Sequence, residues 1–208
     1  MHRQTYLKRF RTPIWQPFAI FGPIAIIMIL VGIAMTTDGI VWSVELIAAG
    51  LFSWTIAEYF LHRFPFHNPT TKEPWRFLSS GQHLLHHEMP NHPNYVAAPL
   101  VMSLIIYMFI LTGCLLLTRS IAVTLLWGGG FALAYLAYEA IHYLAHHGRP
   151  KTALGRYLKR YHLIHHFKDS NNYYGVTSPF WDWLLGTKPD YDTNRDTTIL
   201  PIVSRAKK

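Results

Sequence analysis

Cysteine occurs once in the 208 residues, as Cys114, so this chain can build neither a disulfide framework nor a thiolate metal site. Charge is scarce as well. Lys and Arg number 19 and Asp and Glu 11, together 14% of the chain, where soluble domains carry about 25%. That shortage argues against an ordinary soluble globule. Internal repeats, low-complexity tracts and flexible linkers are also missing, so one domain over residues 1–208 is expected. Basic residues are not interleaved with aromatics, so the net charge of +8 gives no reason to expect a nucleic-acid partner.

What is present is half hydrophobic and gathered into four runs, at 18–36, 40–61, 97–117 and 121–141. The first and third carry no charge, the second only Glu45 and Glu58, and the fourth only Glu139. A helix needs about 20 such residues to cross the apolar core of a bilayer. Burying four helices of that length in a soluble core would need more chain than 208 residues provide. The expected fold is therefore an all-α integral membrane protein with four transmembrane helices. If all four cross, every Lys and Arg except Arg119 falls on one side, which the positive-inside rule makes cytoplasmic. Both termini, a helical cap formed by 62–96 and 142–208, and contacts with anionic membrane lipids then belong to that side. The expected membrane is the plasma membrane in a bacterium and the endoplasmic reticulum in a eukaryote. The first run lacks a small-residue cleavage site and does not read as a cleaved signal peptide.

Thirteen histidines occur, and all but His2 and His92 fall in four groups at the ends of the second and fourth runs and in the cap. The groups are HRFPFH (His62, His67), HLLHH (His83, His86, His87), HYLAHH (His142, His146, His147) and HLIHH (His162, His165, His166). At about 100° per residue, H-x-x-H-H places three imidazoles within one arc of a helix, able to face one metal cluster. In the third group His142 and His146 share a face while His147 turns away, which makes it a doubtful ligand. Pro65 is expected to interrupt the helix, freeing His62 and His67 to turn toward a common site. Ten candidates remain: His62, His67, His83, His86, His87, His142, His146, His162, His165 and His166. Ten imidazoles exceed what one zinc ion takes and suit two six-coordinate ions with about two positions open. Imidazole alone does not choose among zinc, copper, nickel and iron.

The segments AEYFLHRFPFH, HLLHH, YEAIHYLAHH and YHLIHHFKDSNNYYGVTSPFWDWLLGT resemble the integral-membrane fatty acid hydroxylase superfamily, which includes sterol desaturases and carotenoid hydroxylases. The resemblance covers roughly residues 40–190 and is strongest to the fatty acid 2-hydroxylases. It implies a dinuclear iron centre, which zinc can replace in recombinant protein, beneath a four-helix membrane bundle. It also implies molecular oxygen, a lipid acyl substrate hydroxylated at the 2-position, and electrons from outside. Only 17 residues precede the first run, so the expected donor is a separate cytochrome b5-like or ferredoxin-like protein.

Helical phase puts Glu58 four residues before His62, and Tyr135, Tyr138 and Glu139 on the face of His142 and His146. Carboxylates at that depth need partners, and Glu58 and Glu139 are expected to accept N–H bonds from the ligating histidines. Asp169, Asn172 and Asp182 are further candidates for hydrogen bonding around the metals. Trp54, Tyr59, Tyr138, Trp181 and Trp183 are candidate walls for a lipid chain. Sterol or carotenoid desaturation or hydroxylation is the enzymatic alternative. The non-enzymatic one is a metal-binding or metal-transport membrane protein, although transporters hold ions near the midplane. A two-histidine haem would leave most of the ten unused.

Overall fold

The computed structural model describes residues 10–67 and 80–189. The stretches 1–9, 68–79 and 190–208, which hold part of the expected cap and several of its basic residues, lie outside that description. Among the described residues, seven α-helices occur in chain order: α1 (Trp15–Met35), α2 (Gly39–Leu61), α3 (Ser80–Glu88), α4 (Leu100–Thr118), α5 (Ile121–His147), α6 (Ala153–Phe167) and α7 (Phe180–Leu184). No strand is present among them.

Four of these helices are long and apolar enough to cross a membrane: α1, α2 with the turn that extends it to Phe66, α4 and α5. Their outward faces carry side chains such as Phe109 and Leu117, 80% and 88% exposed. A soluble monomer would not leave such large apolar faces to water, whereas lipid covers them without cost. The bundle is uneven. α5 is 61% buried along its apolar stretch against 11–22% for the other three, so it forms the axis on which α1 and α2 pack. Glycine allows the closest of these approaches. A Cβ on Gly50 would lie 2.0 Å from the Trp127 carbonyl oxygen, and one on Gly130 would lie 2.1 Å from that of Ile47. In lipid, where apolar burial drives little association, such backbone contact supplies the packing. α4 is held by Tyr107, which donates to the Gly128 carbonyl at 3.0 Å, and by Tyr135 of α5, which donates to Ser103 at 3.0 Å.

The spans alternate in direction, so short turns join them at one end and the cap gathers at the other. Arg119 closes the α4–α5 turn in the left-handed conformation, and Ser120 then caps α5 by accepting from the Val123 amide. At the opposite end the Thr12 amide donates to the Asn94 carbonyl at 2.7 Å, and Phe10, Leu85 and Tyr95 share a small core. α3 and α6 lie at this end.

One expectation fails here. Pro65 does not interrupt the helix: α2 runs on into a π-helical turn, His62–Phe66, with Pro65 inside it. The wider i→i+5 spacing accommodates a residue without an N–H and brings His62 and His67, five apart, onto one side.

Candidate metal centre

The ten candidate histidines converge in two groups of five. His62, His67, His83, His87 and His165 form the first, and His86, His142, His146, His162 and His166 the second; within each, one ring nitrogen per residue lies within 4.8 Å of the others. His147 belongs to neither and packs its ring on Tyr143 at 4.6 Å.

Each H-x-x-H-H box is divided between the groups. His83 and His87, four apart on α3, face the first group while His86 faces the second. On α6, His162 and His166 face the second group and His165 crosses to the first. Each group thus takes a pair from the end of a span, an i, i+4 pair from one cap helix, and a single histidine from the other.

The layouts match as well. His67 lies 4.7–5.1 Å, ring centroid to centroid, from each of its four companions, whereas His83 and His165 are 6.5 Å apart. His62 and His87 each neighbour both of those rings, so they flank the His83–His165 axis. In the second group His146 lies 4.6–5.3 Å from its four companions, and His86 and His162 are 6.5 Å apart. Both sets are square pyramids, with His67 and His146 at the apices.

The nitrogen contacts show what these pyramids suit. His83 Nε2 lies 3.0 Å from Nε2 of His62, of His67 and of His87. A ring nitrogen carries one proton or one lone pair, so it cannot hydrogen-bond three others at once. Two metal–nitrogen bonds of about 2.1 Å at a right angle, however, separate their nitrogens by about 3.0 Å. Five such donors would leave one position of a six-coordinate ion open in each group. The clusters are thus able to bind metal, and their donor set fits two ions.

Burial keeps the rings in the form a metal needs. It pulls His67 down to about 4 and, with the charge of His67 added, His87 to about 3. Burial, with the crowding of other imidazoles, also holds His83, His86, His162, His165 and His166 well below the ordinary 6.5. Neutral imidazole is the ligating form.

The expected carboxylate partners are not the ones used. Glu58, buried on α2, accepts from the Val176 and Thr177 amides at 2.5 and 2.8 Å and from the Thr177 hydroxyl. Glu139 accepts from the Ala98 amide at 3.2 Å. Among the described residues neither receives a histidine N–H: the Glu58 carboxylate is taken up by the segment 176–177, while Glu139 binds Ala98 through Oε1 and leaves Oε2 buried without a partner. The acceptors are backbone carbonyls instead: His62 Nδ1 donates to Tyr174 and His165 Nδ1 to Asn172, the latter at 2.7 Å. Asn172 makes this contact through its carbonyl, while its side chain donates to Asp169 at 2.8 Å. Asp182 holds the same loop, accepting from the Tyr174 and Gly175 amides at 2.9 and 2.6 Å and from the Thr187 hydroxyl. Nothing in the spacing of the residues marked Tyr174 for this role.

A cavity opens among the spans beside the histidines, lined by Phe21, Trp54, Met102, Tyr107, Phe131 and Tyr138 with a few polar groups, including Glu58 and Ser103. Tyr138 bridges the two regions, its ring 5.5 Å from that of His142. Of the other expected walls, Tyr59 is committed to Thr187 at 2.9 Å, the Trp181 indole donates to Thr55 at 3.0 Å, and Trp183 is exposed.

Comparison with known proteins adds a family to this geometry. The family model for fatty acid hydroxylases matches residues 47–187. A dihydroceramide fatty acyl 2-hydroxylase of Arabidopsis thaliana is 37% identical over 148 residues, 69% of this chain and 60% of its own length. The fatty acid 2-hydroxylase of Homo sapiens is 32% identical over 145 residues, 66% of this chain and 38% of its own. A solved structure of full-length Scs7p, in which only the hydroxylase domain is visible, superposes with a TM-score of 0.78 at 28% identity, covering 88% of this chain and 70% of that one. The chain therefore spans about three fifths of the Arabidopsis relative and less of the human one.

Proposed function

This chain belongs to the fatty acid hydroxylase family, and from that premise we propose that it hydroxylates a lipid acyl chain at the carbon next to the carbonyl. The observation that carries the reading is the contact of one His83 nitrogen with three others at 3.0 Å, which a metal ion accounts for and hydrogen bonding does not. His62, His67, His83, His87 and His165 would hold one iron ion and His86, His142, His146, His162 and His166 the other. When bound, the irons supply the activation of molecular oxygen, one atom entering a C–H bond and the other leaving as water with two electrons and two protons from a donor.

The protein's own part is placement. Carbonyls of Tyr174 and Asn172 keep the proton on Nδ1 of His62 and His165, which leaves each Nε2 lone pair directed into the site. The aromatic and aliphatic walls of the cavity exclude water and accept an apolar chain, while Glu58 and Ser103 offer polar contacts to its head. An unactivated C–H bond cannot be broken by side-chain acid–base chemistry, so what these residues contribute is the choice of carbon. The electrons come from a cytochrome b5-like or ferredoxin-like donor. The cap, with its basic residues, lies on the cytoplasmic side.

Expression in a host without such an enzyme, followed by lipid mass spectrometry, tests the reading. Acyl lipids heavier by one oxygen, with the hydroxyl beside the carbonyl, are expected. Loss of two hydrogens without added oxygen, or a hydroxyl confined to a sterol or carotenoid ring, would overturn it.

A further inference from the structure

The two histidine groups match in number and layout but not in support. At the first, two ligands donate through Nδ1 to fixed carbonyls, His62 to Tyr174 and His165 to Asn172. Those carbonyls sit on a loop held along 174–177, where Asp182 takes the amides of Tyr174 and Gly175 and Glu58 takes those of Val176 and Thr177, and at Tyr173, whose amide donates to the Thr187 carbonyl at 2.9 Å. Tyr173, between the two carbonyls, holds a left-handed φ of 62°, a conformation that persists for a non-glycine residue only when its surroundings impose it. At the second group, Nδ1 of every ligand, His86, His142, His146, His162 and His166, is buried without a hydrogen-bond partner among the described residues.

We propose that the two sites hold their ions unequally: the His62 group retains its metal, while the His86 group is the exchangeable site that releases first. The inference rests on the two-ion reading above. Its physical basis is that an acceptor on the far nitrogen fixes ring orientation and raises ligand basicity, and loss of such an acceptor lowers metal affinity by about 10–100-fold. Asp182 is a positioning residue in this scheme, acting on His62 through the Tyr174 carbonyl.

The test is iron release from the purified, iron-loaded protein in lipid nanodiscs on addition of a coloured ferrous chelator. Two phases of equal amplitude are expected, with rates about tenfold or more apart. An anomalous-scattering map recorded after the fast phase should show metal at the His62 group alone. Asp182→Asn places an N–H donor against the Gly175 amide and should speed the slow phase while leaving the fast one unchanged. A single phase, metal retained at the His86 group, or an Asp182→Asn effect on the fast phase would each overturn the proposal. Should the variant fail to fold, the map of the unaltered protein still decides. A starting content below two irons per chain would overturn the dinuclear reading and this proposal with it.

Discussion

At Gly175 an added methyl would stand 2.0 Å from the Ser178 carbonyl oxygen and 2.9 Å from Asp182 Oδ2, inside the turn that presents the Tyr174 carbonyl to His62. Gly175→Ala is therefore expected to displace that carbonyl and lower metal content with little change in helix content; unchanged metal by mass spectrometry would contradict the role given to the loop. The histidines divide as sharply. His146→Ala removes the apex of the second pyramid and should lower bound metal and abolish activity. His147→Ala, which packs on Tyr143 and flanks His146 at 6.4 Å without joining either group, should leave both near the unaltered level. Equal losses in the two variants would show that the grouping is wrong. At this scale the sequence was informative about imidazoles, since a repeated i, i+3, i+4 spacing is visible in one dimension. It was misleading about Glu58 and Glu139, because helical phase says which way a carboxylate points and not which amide arrives there. The carbonyls of Asn172 and Tyr174 belong to a loop without periodicity, and a carbonyl is present at every residue, so no pattern could single them out.

Among the elements, α3 and α6 each supply histidines to both groups, so neither group is complete until both cap helices are in place. That division depends on how two helices face each other, which a box read alone does not contain. The metal-free cap should be acid-sensitive. An unfolded histidine takes a proton near its ordinary 6.5, whereas folding holds His67 down to about 4 and His87 to about 3. Between those values the unfolded state binds more protons, so stability is fully present above about pH 6.5 and falls as the pH drops toward 4. Thermal melts of metal-free protein from pH 7.5 to 4.5 should show a falling Tm, and a flat profile would contradict the burial of these rings. α2 and α5 make a different demand. Gly50→Ala forces a methyl to within 2.0 Å of the Trp127 carbonyl oxygen, so the spans must separate, at a cost of about 1–3 kcal/mol. A lowered Tm in detergent is expected, with metal content reduced because His62 and His142 lie near the cap ends of those two spans. Their lengths and apolar character were legible, as was the gathering of histidines at one end. The π-helical turn was not, because Pro65 alone reads as a break and only the i→i+5 geometry shows how the chain continues.

For the molecule as a whole, the design is a lipid-facing bundle whose most buried span, α5, ends in the metal centre, with an apolar cavity opening beside it. An acyl chain would need no passage through water to reach such a cavity, and on the proposed reading neutral imidazoles would let two cations sit at the edge of an apolar layer without carboxylate charge beside them. Membership in the fatty acid hydroxylase family agrees with that arrangement, and the oxygen insertion proposed above would make use of both halves of it. The most direct test follows the oxygen atom. Purified, iron-loaded protein in lipid nanodiscs, supplied with an electron donor, an N-acyl lipid and ¹⁸O₂, should yield product carrying one ¹⁸O on the carbon beside the carbonyl, and none after His83→Ala. A hydroxyl oxygen drawn from water, or labelled product undiminished by His83→Ala, would contradict the account.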